Sequence, residues 1–165
     1  MIGNDIVDLA IAKKDSNWKR RGFLDKIFTT TEQILIKDAQ DQDLMVWNLW
    51  SRKEAAYKIY NRETSVRAYI PLQLECVFEN TTSGKVICNG KTYRTTTVIS
   101  RDKIHTIALG EELCFSGIEF LKSCDQVIKK KGLPYHVDTH KNTIRPVSVS
   151  HHGRFSATVA HSLLT

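Results

Sequence analysis

Residues 50–58 read WSRKEAAYK, and their charges stand where a helix would bury its side chains. At about 100° per residue, Val46, Leu49, Trp50, Ala56, Tyr57 and Tyr60 form one stripe, with Lys53 near its centre and Glu54 on its shoulder. Lys58 follows Glu54 one turn later, so the two side chains can point at one spot. An ordinary helix ion pair accounts for that spacing, with the Lys53 stem lying along the core. Such a pair contributes about 0.2–0.5 kcal/mol, however, while desolvating a charge costs several. A ligand carrying both a metal and phosphate groups gives the placement a purpose, because it asks for carboxylate oxygen on one side and ammonium on the other. Asp5 raises the same question from a strand. In IGNDIVDL, residues 2–9, period-two alternation puts Gly3, Asp5, Val7 and Leu9 on one face, so an acid stands on the more apolar side. Backbone hydrogen bonds would satisfy a lone aspartate there. Two converging carboxylates, Asp5 and Glu54, would instead form the kind of set that holds Mg²⁺ while water and substrate phosphate fill its other positions.

The elements that must position these residues are legible in outline. The first strand spans residues 2–9, and a basic segment over residues 11–27 is partly helical, broken at Gly22. Thr29 and Glu32 have capping-box spacing and predict a helix start, and a longer helix is expected over about residues 43–60. After Pro71 the texture turns to β. LQLECVF, KVICNG, KTYRTTTVIS and KIHTIAL are rich in β-branched residues, and Asn89-Gly90 signals a hairpin, so this half reads as an antiparallel meander. SGIEFLKSCDQVIKKKG, residues 116–132, predicts a helix with Ser116 and Glu119 as capping box, three lysines in its last turn and Gly132 past its end. RPVSVSHHGRFSATVAHSLL predicts two strands joined at His152-Gly153. The expected class is α+β, an antiparallel sheet packed with helices in one domain, residues 1–165.

With 41% hydrophobic and 25% charged residues, the 165-residue chain has a globular composition and can bury a sizeable core. No apolar run approaches the roughly 18 residues of a spanning helix, and MIGNDIVDL lacks the pattern of a secretory signal, so a cytoplasmic location is expected. Cys76, Cys88, Cys114 and Cys124 form no CxxC pair and no zinc spacing with the six histidines, which favours reduced, structural cysteines. The net charge of +6 implies attraction to nucleic acid, an anionic membrane, phosphorylated ligands or an acidic protein, without choosing among them.

Three motifs narrow the choice. G-N-D-I-V-D at 3–8, W-S-R-K-E-A-A-Y-K at 50–58 and S-V-S-H at 148–151 resemble the signatures of the phosphopantetheinyl transferase superfamily, G-x-D-[IV], [FW]-x-x-K-E-[AS]-x-x-K and a serine-rich strand ending in Ser-His. Their order, with the Ser-His strand at the C-terminal end, looks like the small holo-acyl-carrier-protein synthases, and FLDKIFTTTEQ is similar to the segment those enzymes place after their first strand. The resemblance covers most of the first 60 residues and the last 20. It implies a 4′-phosphopantetheinyl transferase-like fold and Mg²⁺-dependent transfer of the phosphopantetheine arm of coenzyme A to a serine of a carrier protein, releasing adenosine 3′,5′-bisphosphate. By matching position, Asp5 and Glu54 would hold Mg²⁺ on the pyrophosphate, Lys58 would neutralise the leaving group, and His151 with Ser150 would approach the adenosine 3′-phosphate. Lys53 matches the family lysine beside the glutamate and joins the expected cofactor-binding residues. Positioning and charge stabilisation are what phosphoryl transfer asks of a protein. Either Glu54 or a metal-held water would take the serine proton.

The chain also departs from the family pattern. Asn4 precedes the aspartate where an apolar residue is usual, and RETSVRAYIP replaces a glycine-rich turn after the helix, so that Arg62 and Arg67 would supply phosphate contacts by side chain. Residues 110–145 lengthen the chain beyond typical small synthases.

Lys13, Lys14, Lys19, Arg20 and Arg21 concentrate positive charge after the first strand, where the resembling family meets the acidic recognition helix of an acyl or peptidyl carrier; a solvated helix face reads equally well. His105, His136, His140, His152 and His161 match no metal spacing and are expected to be structural or at the surface, with His152 close enough to His151 to reach a ligand. The resemblance also implies a homotrimer with the cofactor between subunits, unless the added middle segment closes the site within one chain. Two other readings compete. One is a basic nucleic-acid-binding domain, suggested by the net charge and Trp18 among basic residues, although no aromatics interleave with Lys and Arg along the strands. The other is a coenzyme A-binding relative without turnover. The leading expectation is an enzyme with no nucleic-acid and no membrane partner.

Overall fold

The first strand, β1 (Ile2–Asp8), is where the fold comes together. It is followed by α1 (Leu9–Asp15), α2 (Phe23–Ile27), α3 (Thr30–Asp38) and the long α4 (Gln42–Thr64). A 3₁₀ turn at Pro71–Gln73 leads into β2 (Glu75–Phe78), β3 (Ser83–Cys88), β4 (Lys91–Ile99) and β5 (Lys103–Gly110). The computed structural model describes residues 1–122, 126–139 and 142–164; Cys124 and His140, expected to be structural or at the surface, lie outside them. The expected meander forms, and β1 adds to its far edge to give one antiparallel sheet of order β1-β5-β4-β3-β2. Asn89 and Gly90 both take positive φ in the β3–β4 turn, as that dipeptide predicts. The class is α+β.

α4 begins where the Asp41 side chain accepts a hydrogen bond from the Leu44 amide and ends at Ser65 in the left-handed region. Its Val46, Leu49, Ala55, Ala56 and Ile59 are fully buried in the core it forms with the sheet. The approach to β1 is main chain to main chain: a Cβ added at Gly3 would overlap the carbonyl oxygen of Ala55. α3 opens with the capping box expected from Thr29 and Glu32. Glu32 does more than cap, however, because it is fully buried and pairs with Lys53.

The middle of the chain differs from expectation. Residues 116–132 do not form a helix: Phe115–Gly117 is a 3₁₀ turn, followed by β6 (Ile118–Leu121) and β7 (Val127–Lys130). Lys131 and Gly132, both with positive φ, form a two-residue turn into β8 (Leu133–Asp138), which pairs with β9 (Thr143–Pro146). Gly132 thus closes a hairpin rather than a helix. Glu119 caps nothing there; its carboxylate meets Arg145 at 2.6 Å. A short apolar run fits either period, and here the cross-strand pairing decides it.

The last two strands, β10 (Ser148–His152) and β11 (Phe155–His161), form the predicted hairpin, with Gly153 and Arg154 as its turn. β6 adds to them as a third strand. β10 is tied to β1 through Asn4, whose amide donates to Ser148 Oγ at 2.8 Å. Among the described residues, no helix is long and apolar enough to cross a membrane.

Candidate functional site

Asp5 projects from the middle of β1 and Glu54 from the adjoining face of α4, and both line one cavity of about 200 Å³ together with Trp47, Trp50, His151 and His152. The two carboxylates feel each other. Burial pushes Asp5 up to about 6, against the pull of Lys58 and His152. Burial, and next the facing Asp5 charge, push Glu54 up to about 7. Acids raised in this way have given up water without gaining enough compensating charge. The Tyr69 hydroxyl sits buried beside Glu54 without closing a hydrogen bond to it.

Lys58 closes the other side of this pair. Its ammonium donates to the Asn4 carbonyl at 2.6 Å and the Val149 carbonyl at 3.3 Å, and it stands 3.6 Å from Asp5 Oδ1. One cation therefore joins α4 to β1 and β10 beside the acidic pair. It also lines a second, larger cavity of about 500 Å³, which it shares with Arg62, Ser150 and His151. His151 lines both cavities, so the two spaces lie next to each other at the end of β10.

Asn4, the departure from the family pattern, is fully buried and fixes this junction. Its Nδ2 donates to Ser150 Oγ at 2.9 Å and to His105 Nε2 at 3.1 Å. An imidazole that accepts there is neutral, in line with His105 being held down at about 4 by burial and by Lys103 and Lys58. An apolar residue could not hold β10 in this way. His152 is fixed from the other side, where its Nδ1 accepts a hydrogen bond from the Asp8 amide at 2.8 Å. Asp8 itself caps α1 and grips Arg154 with both oxygens at 2.8 Å, which holds its carboxyl below the usual range. Sequence reasoning assigned no role to Asn4 or Asp8; the polar residue in an apolar family position was the signal for Asn4.

One expected cofactor contact is corrected, and two others are found with backbone partners of their own. The Lys53 ammonium turns into the core, 2.6 Å from Glu32 and 2.8 Å from the Pro71 carbonyl, with both charged side chains at 0% exposure, so it reaches neither cavity. Arg62 lines the larger cavity but spends Nη2 on the carbonyls of Pro134 and Val147, at 2.9 and 3.0 Å. Arg67 donates to the Lys131 carbonyl at 2.8 Å. Both arginines fasten the β7–β8 hairpin to α4 and to the segment that follows it, and Arg62 keeps a buried Nη1 with no protein partner among the described residues. The basic residues Lys13, Lys14, Lys19, Arg20 and Arg21 are all exposed. Trp18, which suggested nucleic-acid stacking, is buried and donates its indole N–H to Asp43 at 2.5 Å, so it offers no platform.

Asp5 and Glu54 supply hard oxygen donors, and no group of three or more His, Cys, Asp or Glu able to hold a metal forms among the described residues. Two raised, mutually repelling carboxylates with Lys58 alongside fit a divalent cation that completes its shell with phosphate and water.

This architecture has a counterpart among known proteins. Residues 1–116 match the 4′-phosphopantetheinyl transferase superfamily, so the chain belongs to that superfamily. A crystal structure of the holo-[acyl-carrier-protein] synthase of Thermotoga maritima shares the fold at a TM-score of 0.50 and 12% identity, covering 99% of this chain and 83% of that one. No curated protein matches the sequence.

Proposed function

We propose that the protein, as a single domain over residues 1–165, transfers the 4′-phosphopantetheine arm of coenzyme A to a serine of an acyl or peptidyl carrier protein. The observation that carries this reading is the pair of raised acids, Asp5 and Glu54, facing each other in one cavity that lies next to a second, ligand-sized cavity at His151. The serine oxygen attacks the phosphorus that bears the pantetheine, the bond from that phosphorus to the adenosine-side phosphate breaks, and adenosine 3′,5′-bisphosphate leaves. Asp5 and Glu54 would hold Mg²⁺, which when bound supplies positive charge to the pyrophosphate. Either Glu54 or a water held by the metal would accept the serine proton. Lys58 keeps an N–H free of its two carbonyl partners and can meet the negative charge that builds on the leaving oxygen. Ser150 and His151 stand where the adenosine end would lie, and the exposed basic residues from Lys13 to Arg21 would receive the acidic carrier.

Incubation with coenzyme A, Mg²⁺ and an apo-carrier should add the mass of phosphopantetheine to the carrier serine, and Glu54→Ala should abolish the addition. No addition to acidic carriers of fatty-acid, polyketide or peptide synthesis would sink the reading. Binding of coenzyme A without any transfer would point to a relative that has lost turnover.

A further inference from the structure

We infer that the β7–β8 hairpin completes the adenosine end of the coenzyme A cavity within the same chain, and that Lys129 is the cation it contributes to the 3′-phosphate; this rests on the transferase reading above. The hairpin lies beyond residues 1–116, the part of the chain that matches the superfamily. It nevertheless forms a wall of the larger cavity through Val127, Lys129, Leu133 and Pro134, opposite Tyr57, Lys58 and Arg62 of α4. Val127 and Lys129 are two residues apart and face the cavity together, and Pro134, the cross-strand partner of Lys129, faces it with them.

A three-stranded sheet with one buried residue, His136, cannot hold that position by its own core. Arg62 and Arg67 hold it, donating to the carbonyls of Pro134 and Lys131 at 2.9 and 2.8 Å. The Arg62 guanidinium also lies 5.0 Å from the centre of the Tyr135 ring. The direction of the ligand follows from the order of the residues that line the two neighbouring cavities. The acids that face the pyrophosphate are in the smaller one, His151 is shared, and Lys129 belongs to the larger one on the far side of Lys58. An ammonium there meets the phosphate at the adenosine end, while the apolar side chains around it take the base.

The test is to titrate the full-length protein with coenzyme A and with 3′-dephospho-coenzyme A. Lys129→Glu should weaken coenzyme A binding about tenfold or more, as expected for losing a charge-assisted contact, and leave dephospho-coenzyme A nearly unchanged. Lys129→Arg should retain the preference for the phosphorylated ligand. Unchanged coenzyme A affinity in Lys129→Glu, or equal weakening of both ligands, would overturn the assignment. A second measurement addresses the single chain. Lys58→Ala and Lys129→Glu are mixed and transfer is assayed at limiting coenzyme A. No recovery supports a site closed within one chain, and recovery means that the wall comes from another subunit. A wild-type protein that binds coenzyme A but transfers nothing fails the transferase reading and leaves the titration decisive; one that binds no coenzyme A fails both.

Discussion

α4 presents two lysines, and each meets an acid from another element, yet the two meetings differ in kind. Lys53 and Glu32 are sealed in the core at 2.6 Å, and each has further partners there: the ammonium donates to the Pro71 carbonyl and lies over the Phe28 ring, and the carboxylate accepts from the Thr29 and Cys76 amides at 2.8 and 2.7 Å. Lys58 and Asp5 are 3.6 Å apart with side chains 30% and 15% exposed, and Glu54 crowds the same space with a second negative charge. Buried charge is therefore no mark of function by itself. A closed, well-partnered pair holds α3 to α4, whereas an open, under-compensated cluster is left to be completed by a ligand.

The largest effect should come from breaking the closed pair. Lys53→Met leaves Glu32 charged and buried, and should cost about 3–5 kcal/mol in urea unfolding. Adding Glu32→Leu should recover part of that, less the lost α3 cap. A cost below about 1 kcal/mol would erase the distinction between the two clusters.

A smaller effect of opposite sign is expected at the open cluster. Without divalent cations, Glu54→Gln should raise stability near pH 8 by about 1–2 kcal/mol, and with Mg²⁺ supplied it should abolish transfer. The sign follows from the folded acids holding protons more tightly than the unfolded chain does. Their ordinary values are 3.8 and 4.5 and their folded values about 6 and 7, so the charge penalty is absent at low pH and grows as pH rises through that window. Thermal melts of the two proteins should converge toward pH 4.5 and separate toward pH 7 and above. Curves that run parallel would mean that Glu54 holds its proton no more tightly folded than unfolded.

Charge reversal at Arg20 and Arg21 touches neither pair. It should change stability by less than about 0.5 kcal/mol, weaken carrier binding, leave coenzyme A affinity alone and reduce the salt dependence of association.

The open cluster was legible in the sequence because its residues are charged on faces that should be apolar, and period alone exposes that conflict. The Thr29 capping box and the Asn89-Gly90 turn were legible for the same reason, being local rules with fixed offsets. The destination of Lys53 was not local. It depends on Glu32 and Pro71, which only the folded core brings to it. The carbonyl partners of Arg62 and Arg67 were not legible either, because a guanidinium does not announce which backbone oxygens the fold will bring to it. β7 misled because a four-residue strand with two terminal lysines, followed by another lysine and a glycine, has the ending of a helix.

Gly3 adds one further point about the open cluster. Since β1 and α4 touch through backbone there, with no room for even a methyl group, the gap between the two acids is gauged by the main chain rather than by a deformable layer of side chains. The cluster behaves like a caliper whose opening is set by the backbone, so a side chain at Gly3 would widen the space between Asp5 and Glu54 without altering a single polar atom.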